Sequence, residues 1–121
     1  MKKIICFDLD GTICRTNKKN YFKAKPKKAA IETINFLYEN EFIIKIYTSR
    51  FMGRNKDNAL KAKKQGYIKT KAQLKNWGLK FHKLLMGKPS YDIFIDDKSY
   101  GYNDSWIKKL KKLKKNNIKN V

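Results

Sequence analysis

Several residue types that mark particular protein classes are scarce in this 121-residue chain. Its two cysteines, Cys6 and Cys14, lack the spacing of paired metal ligands, which predicts a reduced, cytoplasmic protein. There are only two prolines, and 41% of the residues are hydrophobic, so the composition excludes disorder throughout and predicts one packed domain over residues 1–121. No apolar stretch approaches the roughly 20 residues of a membrane span, so no membrane association is expected.

Acidic residues are also scarce. Ten Asp and Glu face thirty Lys and Arg, which gives a net charge of +20. Such a charge is typical of proteins that bind polyanions, but only Arg15, Arg50 and Arg54 are arginines, the residue that phosphate-reading sites prefer. Lysine, asparagine and isoleucine are abundant together and share AT-rich codons. We therefore interpret the charge as genome composition combined with solubility, with an anionic partner as the alternative.

Short apolar runs alternate with helical patterns. Strands are predicted at residues 4–7, 42–47, 81–86 and 91–95. Helices are predicted from Pro26 to about residue 40, at 56–64 and 70–77, and as a basic C-terminal helix from Asp104 that frays after Asn116; residues 18–25 are an expected exposed loop. This alternation predicts an α/β fold: a Rossmann-like parallel sheet in three layers, with helices on both faces.

Four of the ten acids lie where predicted strands end: Asp8, Asp10, Asp96 and Asp97. Ligand sites of parallel sheets lie at the carboxyl ends of the strands. Clustered carboxylates repel one another unless they share a cation, so a divalent metal site is predicted there. Taken singly, Asp10-Gly11 also fits an ordinary turn, and Asp96-Asp97 a turn or a helix N-cap.

These positions resemble the motifs of haloacid dehalogenase superfamily phosphohydrolases. The first motif matches Phe7-Asp8-Leu9-Asp10-Gly11-Thr12, the second Thr48, the third Lys88 and the fourth Ile95-Asp96-Asp97. More narrowly, the chain is similar to small phosphatases encoded in bacterial capsule and surface-polysaccharide gene clusters, through Tyr47-Thr48-Ser49-Arg50, Trp77-Gly78, His82, Gly87-Lys88-Pro89 and Asp96-Asp97-Lys98.

The resemblance implies a reaction and a cofactor. Asp8 is then the nucleophile that forms an aspartyl phosphate, and Asp10 is the general acid and base. Asp8, the backbone carbonyl of Asp10, and Asp96 are the implied Mg²⁺ ligands, with Asp97 as an outer or weaker one. Hydrogen bonds and charge from Thr48 and Lys88 are expected to hold the phosphoryl oxygens.

Four further residues are substrate candidates: Ser49, Arg50, Arg54 and His82. For the two arginines a solvated loop role is the alternative, and for His82 a structural one. Members of this superfamily often carry a cap domain, but residues 13–41 and 51–87 are too short to form one. The site should therefore be open unless a second subunit of a homo-oligomer or the loop at residues 18–25 covers it.

The sequence thus predicts a capless, Mg²⁺-dependent phosphatase acting on a small phosphomonoester, such as a sugar or polyol phosphate of surface-glycan synthesis. One alternative within enzymes is a nucleic-acid 3′-phosphatase, which the basic charge would suit. The other is a non-catalytic domain that binds nucleic acid or regulates a partner.

Overall fold

The computed structural model describes residues 2–113. Its strands are β1 (Ile4–Phe7), β2 (Cys14–Arg15), β3 (Lys25–Pro26), β4 (Ile43–Thr48) and β5 (Lys83–Met86). Its α-helices are α1 (Lys28–Glu39), α2 (Ala59–Asn76) and α3 (Trp106–Leu110). Among the described residues no helix has the length and apolar character of a membrane span.

A three-stranded parallel sheet in the order β1-β4-β5 forms the centre of a mixed α/β fold. Ile4 lies beside Ile43 and Phe7 beside Ile46, and Thr48 at the end of β4 lies beside Met86. The predictions at residues 4–7, 42–47 and 81–86 and the helix after Pro26 are confirmed to within two residues at each end. A short antiparallel pair, β2 and β3, closes the loop that follows β1.

The helices lie on one face of this sheet. Crossovers between parallel strands are nearly always right-handed, and β1, β4 and β5 follow one another in the same direction, so α1 and α2 belong on the same side. One core cluster joins them, with Ile34 of α1, Leu74 of α2 and Trp106 of α3 packing with Ile44 and Ile46 of β4.

The opposite face is open within residues 2–113. Side chains alternate along a strand, and Ile4, Cys6, Lys83 and Leu85, which point away from the core, are all exposed. The prediction of helices on both faces is therefore wrong for the described part of the chain. The physical reason is the strand order: a second helical layer requires a crossover that runs in the other direction from β1, and residues 2–113 contain none.

Helix α2 is one helix of 18 residues, where two short ones at 56–64 and 70–77 were predicted. The side chain of Asn58 caps the N-terminus of α2: its Oδ1 accepts a hydrogen bond from the Lys61 backbone N–H at 3.1 Å. Its buried residues, Ala62, Gly66, Thr70 and Leu74, recur at every fourth position. Leu74 is the only large apolar residue in this stripe. The sequence therefore shows no clear helical spacing of apolar residues among the lysines.

At Gly66 the helix is in close contact with the ring of Phe51. A Cβ atom built there would lie 2.3 Å from Cε2 of Phe51, so only glycine lets the ring approach the helix. Phe51 has a positive φ of 67°, a conformation that a bulky side chain adopts only under constraint. Its ring also packs against Tyr21, with the centroids 5.1 Å apart. Gly66 thus supports a strained turn directly after Arg50.

Replacing Gly66 with Ala is expected to destabilise the protein. Overpacking costs about 1–3 kcal/mol, which exceeds the gain of roughly 1 kcal/mol in helix propensity. Urea unfolding measures the difference in the free energy of unfolding. Gly101→Ala is the control, because a Cβ there meets nothing within 4 Å. A Gly66→Ala protein as stable as the wild type would show that Phe51 is not held in this way.

Residues 91–95, predicted as a strand, do not form one, and this prediction is wrong for the single chain. The physical reason is the connection. Only residues 87–90 separate β5 from this segment, whereas a further parallel strand needs a crossover of about a dozen residues or more. The predicted C-terminal helix is present as α3 but is shorter than predicted: it starts at Trp106 and ends at Leu110, and residues 111–113 are not helical. The predicted fraying after Asn116 lies outside the described residues.

Candidate functional site

Two aspartates follow β1 at the carboxyl end of the sheet. Leu9 between them is fully buried, and its carbonyl accepts hydrogen bonds from the backbone N–H groups of Thr12 and Ile13. Gly11 has a φ of +87°, a backbone conformation that favours glycine. The tight turn therefore fixes Asp8 and Asp10 as neighbours, as their spacing predicted.

Asp8 is bonded from two sides. Lys88 Nζ lies 3.2 Å from its Oδ1, and the Thr12 hydroxyl donates to its Oδ2 at 3.1 Å. The side chain is still 36% exposed, so it can be reached from solvent. The structure thus joins the first and third motif residues, which are eighty positions apart.

Lys88 is positioned by the sheet itself. It follows β5 and Gly87, and its backbone N–H donates to the Thr48 carbonyl at 3.2 Å. Burial lowers the pKa of the Lys88 ammonium, but contacts with Tyr91 and with the Asp8 carboxylate outweigh this effect, so the pKa lies above its ordinary value. The group is therefore charged at neutral pH, as a phosphate-binding lysine must be.

Asp10 is held by Arg50. The guanidinium Nε lies 2.8 Å from Oδ2 and Nη2 lies 2.9 Å from Oδ1, a two-point pairing that fixes the plane of the carboxylate. Thr16 also donates a short hydrogen bond to Oδ1. The Arg50 side chain is fully buried, while that of Asp10 is 25% exposed.

The remaining contacts of Arg50 anchor it to the body of the protein. Nη1 donates to Gln73 Oε1 at 2.6 Å and lies 3.5 Å from the Thr70 hydroxyl, so α2 holds the guanidinium from behind. The ring of Tyr21 covers it at 5.1 Å. Arg50 was expected to contact substrate or solvent; instead its donors are engaged within the protein, and it is a positioning residue for Asp10.

Thr48 is the last residue of β4, and Ser49 follows it. The Thr48 side chain is buried, and its hydroxyl accepts a hydrogen bond from the Arg50 backbone N–H at 3.1 Å. It stabilises the turn that directs Arg50 inward, and its expected contact with a phosphoryl oxygen stays a prediction. Ser49 is half-buried at the next position.

Arg54 is an exposed cation near the Asp10 side of the site. Its guanidinium lies 4.6 Å from the centre of the Phe51 ring and 5.5 Å from that of Tyr21, the ring that also covers Arg50. No carboxylate pairs with Arg54 in the described part of the chain. Its contact with an anionic ligand stays a prediction.

His82 lies at the other end of the sheet. Its Nδ1 accepts a hydrogen bond from the Ile44 backbone N–H at 2.9 Å, and its ring stacks on Tyr38 with the centroids 4.5 Å apart. His82 directly precedes β5, so it lies at the amino ends of the strands. The expected substrate contact of His82 is thus not supported, and the structural alternative fits its position.

Asp96 and Asp97 do not join Asp8 and Asp10. Both are exposed, and the Asp96 side chain accepts a hydrogen bond from the Lys98 backbone N–H at 2.9 Å. Within residues 2–113 no group of three or more His, Cys, Asp or Glu side chains lies close enough to hold a metal ion. Asp8 and Asp10 are each already paired with a cation, so one chain alone does not fit the predicted Mg²⁺ site.

Two polar residues at the site were not singled out from the sequence. Thr16 bonds Asp10, and Gln73 bonds both Arg50 and the Tyr21 carbonyl. Neither lies in a motif, and a glutamine in a lysine-rich helix carries no signal of its own. Cys14 lies beside Asp10, where burial above all raises the pKa of its thiol to about 11. The thiol is therefore protonated at neutral pH and is not a nucleophile.

Comparison with known proteins supports the fold alone. No protein-family model matches the chain, and no curated protein matches it. A crystal structure of a structural-genomics target from Vibrio cholerae is similar, with a TM-score of 0.80 and 23% sequence identity over 98% of this chain and 94% of that one. The α/β architecture is thus shared with a solved structure over nearly the whole chain.

Proposed function

We propose that this protein is a phosphohydrolase with a Rossmann-like core of the haloacid dehalogenase type, without a cap, and that it cleaves small phosphomonoesters through an aspartyl phosphate on Asp8. One observation carries the proposal. The Asp8 carboxylate is partly exposed at a strand end, with Lys88 Nζ 3.2 Å away and a second carboxylate, that of Asp10, two residues on.

The first step uses Asp8 and Lys88. An Asp8 oxygen attacks the phosphorus, an O–P bond forms, and the bond from phosphorus to the leaving oxygen breaks. Lys88 neutralises charge on the phosphoryl oxygens, since transfer of this group is catalysed mainly by positioning and electrostatics. Water then attacks the acyl phosphate, which restores the Asp8 carboxylate and releases inorganic phosphate.

Asp10 handles the protons. It donates one to the departing alkoxide and takes one from the attacking water, so it ends as it began. Arg50 and Thr16 hold both Asp10 oxygens in place, so one of these hydrogen bonds must be exchanged for a bond to the leaving group. Arg50 therefore sets the direction of proton transfer without contacting substrate.

The surroundings of the site favour a small anionic substrate. No cap domain is present within residues 2–113, and Arg54 offers a guanidinium on the Asp10 side that has no ion-pair partner in this range. A sugar or polyol phosphate presents one phosphate to Lys88 and hydroxyl groups to the remaining polar side chains. Ser49, which is half-buried and directly follows β4, is one polar side chain that such hydroxyl groups could contact.

The charge of +20 favours one second candidate, a nucleic-acid 3′-phosphatase with the same chemistry. The described lysines are not confined to the surroundings of Asp8, however. Exposed lysines occur on α1, on α2, on the open face of the sheet and on α3. A substrate that uses this charge would have to follow several sides of the molecule, so the small-molecule reaction is preferred.

A phosphate-release screen tests the proposal. Purified protein with Mg²⁺ is assayed on sugar phosphates, polyol phosphates, nucleotides and DNA with a 3′-phosphate. We expect turnover of a small phosphomonoester, with only a modest loss as salt rises. Release from 3′-phosphorylated DNA alone, with steep salt dependence, would favour the second candidate. No release from any of these substrates would overturn the phosphatase assignment.

A further inference from the structure

Residues 91–95 are the most exposed apolar segment of the described chain. Ile93 is 78% and Ile95 is 91% exposed, and Tyr91 and Phe94 are each close to half exposed. An exposed apolar patch of this kind marks an interaction surface. The segment has the alternating, β-branched pattern of a strand but pairs with no strand within residues 2–113.

The parallel sheet has an unpaired edge, at β1, to which a further parallel strand could be added. β1 is an edge strand in the described structure, and its outer backbone groups face no other strand. Such an edge favours pairing with another chain, because its N–H and C=O groups are unpaired. The polar turn with Asp8 and Asp10 directly follows this edge, so a strand added there would end at the site.

The chain cannot fill that edge with its own residues 91–95. β5 ends at Met86 at the carboxyl end of the sheet, and a parallel strand beside β1 must begin at the amino end. Residues 87–90 would have to cross the length of the sheet and its width of three strands. A second copy has no such restriction, because its segment can approach from outside.

We propose that two copies of this chain exchange residues 91–113, here called the arm, so that residues 91–95 of each copy pair in parallel with β1 of the other. Asp96 and Asp97 of one copy then lie at the carboxyl end of the sheet of the second copy, beside Asp8 and Asp10. Exchange of identical elements is a common route to dimers.

The side-chain pattern defines the register. With Asp96 level with Asp8, Ile95 lies beside Phe7 and Ile93 beside Ile5. Phe7 is buried and Ile5 packs against the core, so both isoleucines of the second copy enter the covered face. Phe94 lies beside Cys6 on the open face. Two of the three most exposed isoleucines among the described residues are thus the two that this register buries.

The rest of the arm already has a binding surface next to β1. Trp106 packs on Phe7 with the ring centroids 5.5 Å apart, and the Tyr102 hydroxyl donates to the Gly11 carbonyl at 2.9 Å. The buried Trp106 Nε1 has no acceptor among the described residues, whereas a strand beside β1 would bring carbonyl groups to that side. In the exchanged dimer α3 makes the same contacts with the second copy.

Exchange places Asp96 and Asp97 beside Asp8 and Asp10, and these four carboxylates would repel one another unless they shared a cation. The basic residues of the chain are the same in both copies, so the net charge of +20 does not distinguish exchange from the single chain. Exchange also gathers four carboxylates at one strand edge, which supplies the oxygen ligands that Mg²⁺ prefers and that one chain lacks. This last point rests on the proposed phosphatase function; the strand exchange does not.

Cross-linking tests the exchange without any assay of activity. In the proposed register Phe94→Cys places a thiol beside Cys6 of the second copy, so a short bifunctional maleimide should yield covalent dimers. Ile68→Cys, at a more exposed position on α2 (82% against 46% for Phe94), is the control and should nevertheless yield few. Light scattering after size exclusion should report a dimer for the wild type. A monomer by scattering, or a cross-link confined to one chain, would overturn the exchange.

Complementation tests whether the arm completes the site. Asp8→Asn and the double variant Asp96→Asn with Asp97→Asn should each be inactive alone. When the two are co-expressed, half of the dimers are mixed and one of their two sites is intact, so activity should recover to about a quarter of the wild-type value. Mg²⁺ should raise the melting temperature of the mixture more than that of either variant.

The outcomes separate the two proposals. An active wild type with no recovery in the mixture overturns the exchange and leaves the phosphatase assignment in place. Covalent Phe94→Cys dimers from a protein that hydrolyses no phosphomonoester support the exchange and overturn the phosphatase assignment. Recovery in the mixture supports both, because no single chain in it contains every residue of the site.

Discussion

Asp8→Asn should lower phosphate release by about 10³-fold or more while the protein stays folded. The amide cannot attack phosphorus as a carboxylate does, yet it has nearly the same shape. Thr12 can still donate to the amide oxygen, and the side chain is partly exposed, so little stability depends on its charge. Steady-state turnover and thermal unfolding, measured on the same preparation, separate the two effects.

Glu39→Gln is the matched control for Asp8→Asn. It also converts an acid into its amide, and Glu39 pairs with Lys80 at an exposed position at the C-terminus of α1, away from the carboxyl ends of the strands. Turnover should be unchanged. If Asp8→Asn retained most of the wild-type turnover, or if Glu39→Gln lost it, Asp8 would not be the nucleophile.

Arg50→Met should destabilise the protein by about 3–5 kcal/mol, the usual cost of removing one partner of a buried ion pair. Its guanidinium is fully buried and joins β1, β4 and α2 through Asp10 and Gln73. Turnover should fall as well, because Asp10 loses the two-point contact that orients it. Urea unfolding at neutral pH gives the free energy, and phosphate release gives the kinetic effect.

The double variant Arg50→Met with Asp10→Asn is the control for charge. Removing both members of the pair leaves no uncompensated ion, so part of the lost stability should return. Turnover should not return, because the proton-transfer group is also gone. If Arg50→Met cost less than about 1 kcal/mol, the pair would behave as an exposed salt bridge and could not define the position of Asp10.

The sequence alone predicts those parts of the fold that depend on residues close together in the chain. The continuous apolar runs that became β1 and β4 are short, buried and closed by polar residues, so their bounds were predictable to within a residue. Pro26 and the apolar spacing after it were enough for α1. Asp8 and Asp10 could be placed together because only one buried residue separates them.

The rest depends on partners that are distant in sequence. Nothing around Arg50 indicates that Asp10, Gln73 and a strained Phe51 enclose it, since each comes from a different element. The single helix α2 was missed because its contacts use Gly66 and Thr70 in place of large apolar residues. The motif at Asp96 was recognisable from the sequence. Where it lies in the structure depends on the order of the strands, because only four residues connect β5 to residue 91.

Peptide mapping after acid quench is the most direct test of the central claim, that Asp8 forms a covalent phosphoryl intermediate. The wild-type protein is mixed with a turned-over phosphomonoester, quenched in acid within the first turnovers, digested and analysed by mass spectrometry. The account predicts a phosphoryl group on the peptide that contains Asp8, absent in Asp8→Asn. Steady turnover with no phosphoryl group on that peptide, or with one on another residue, would contradict it.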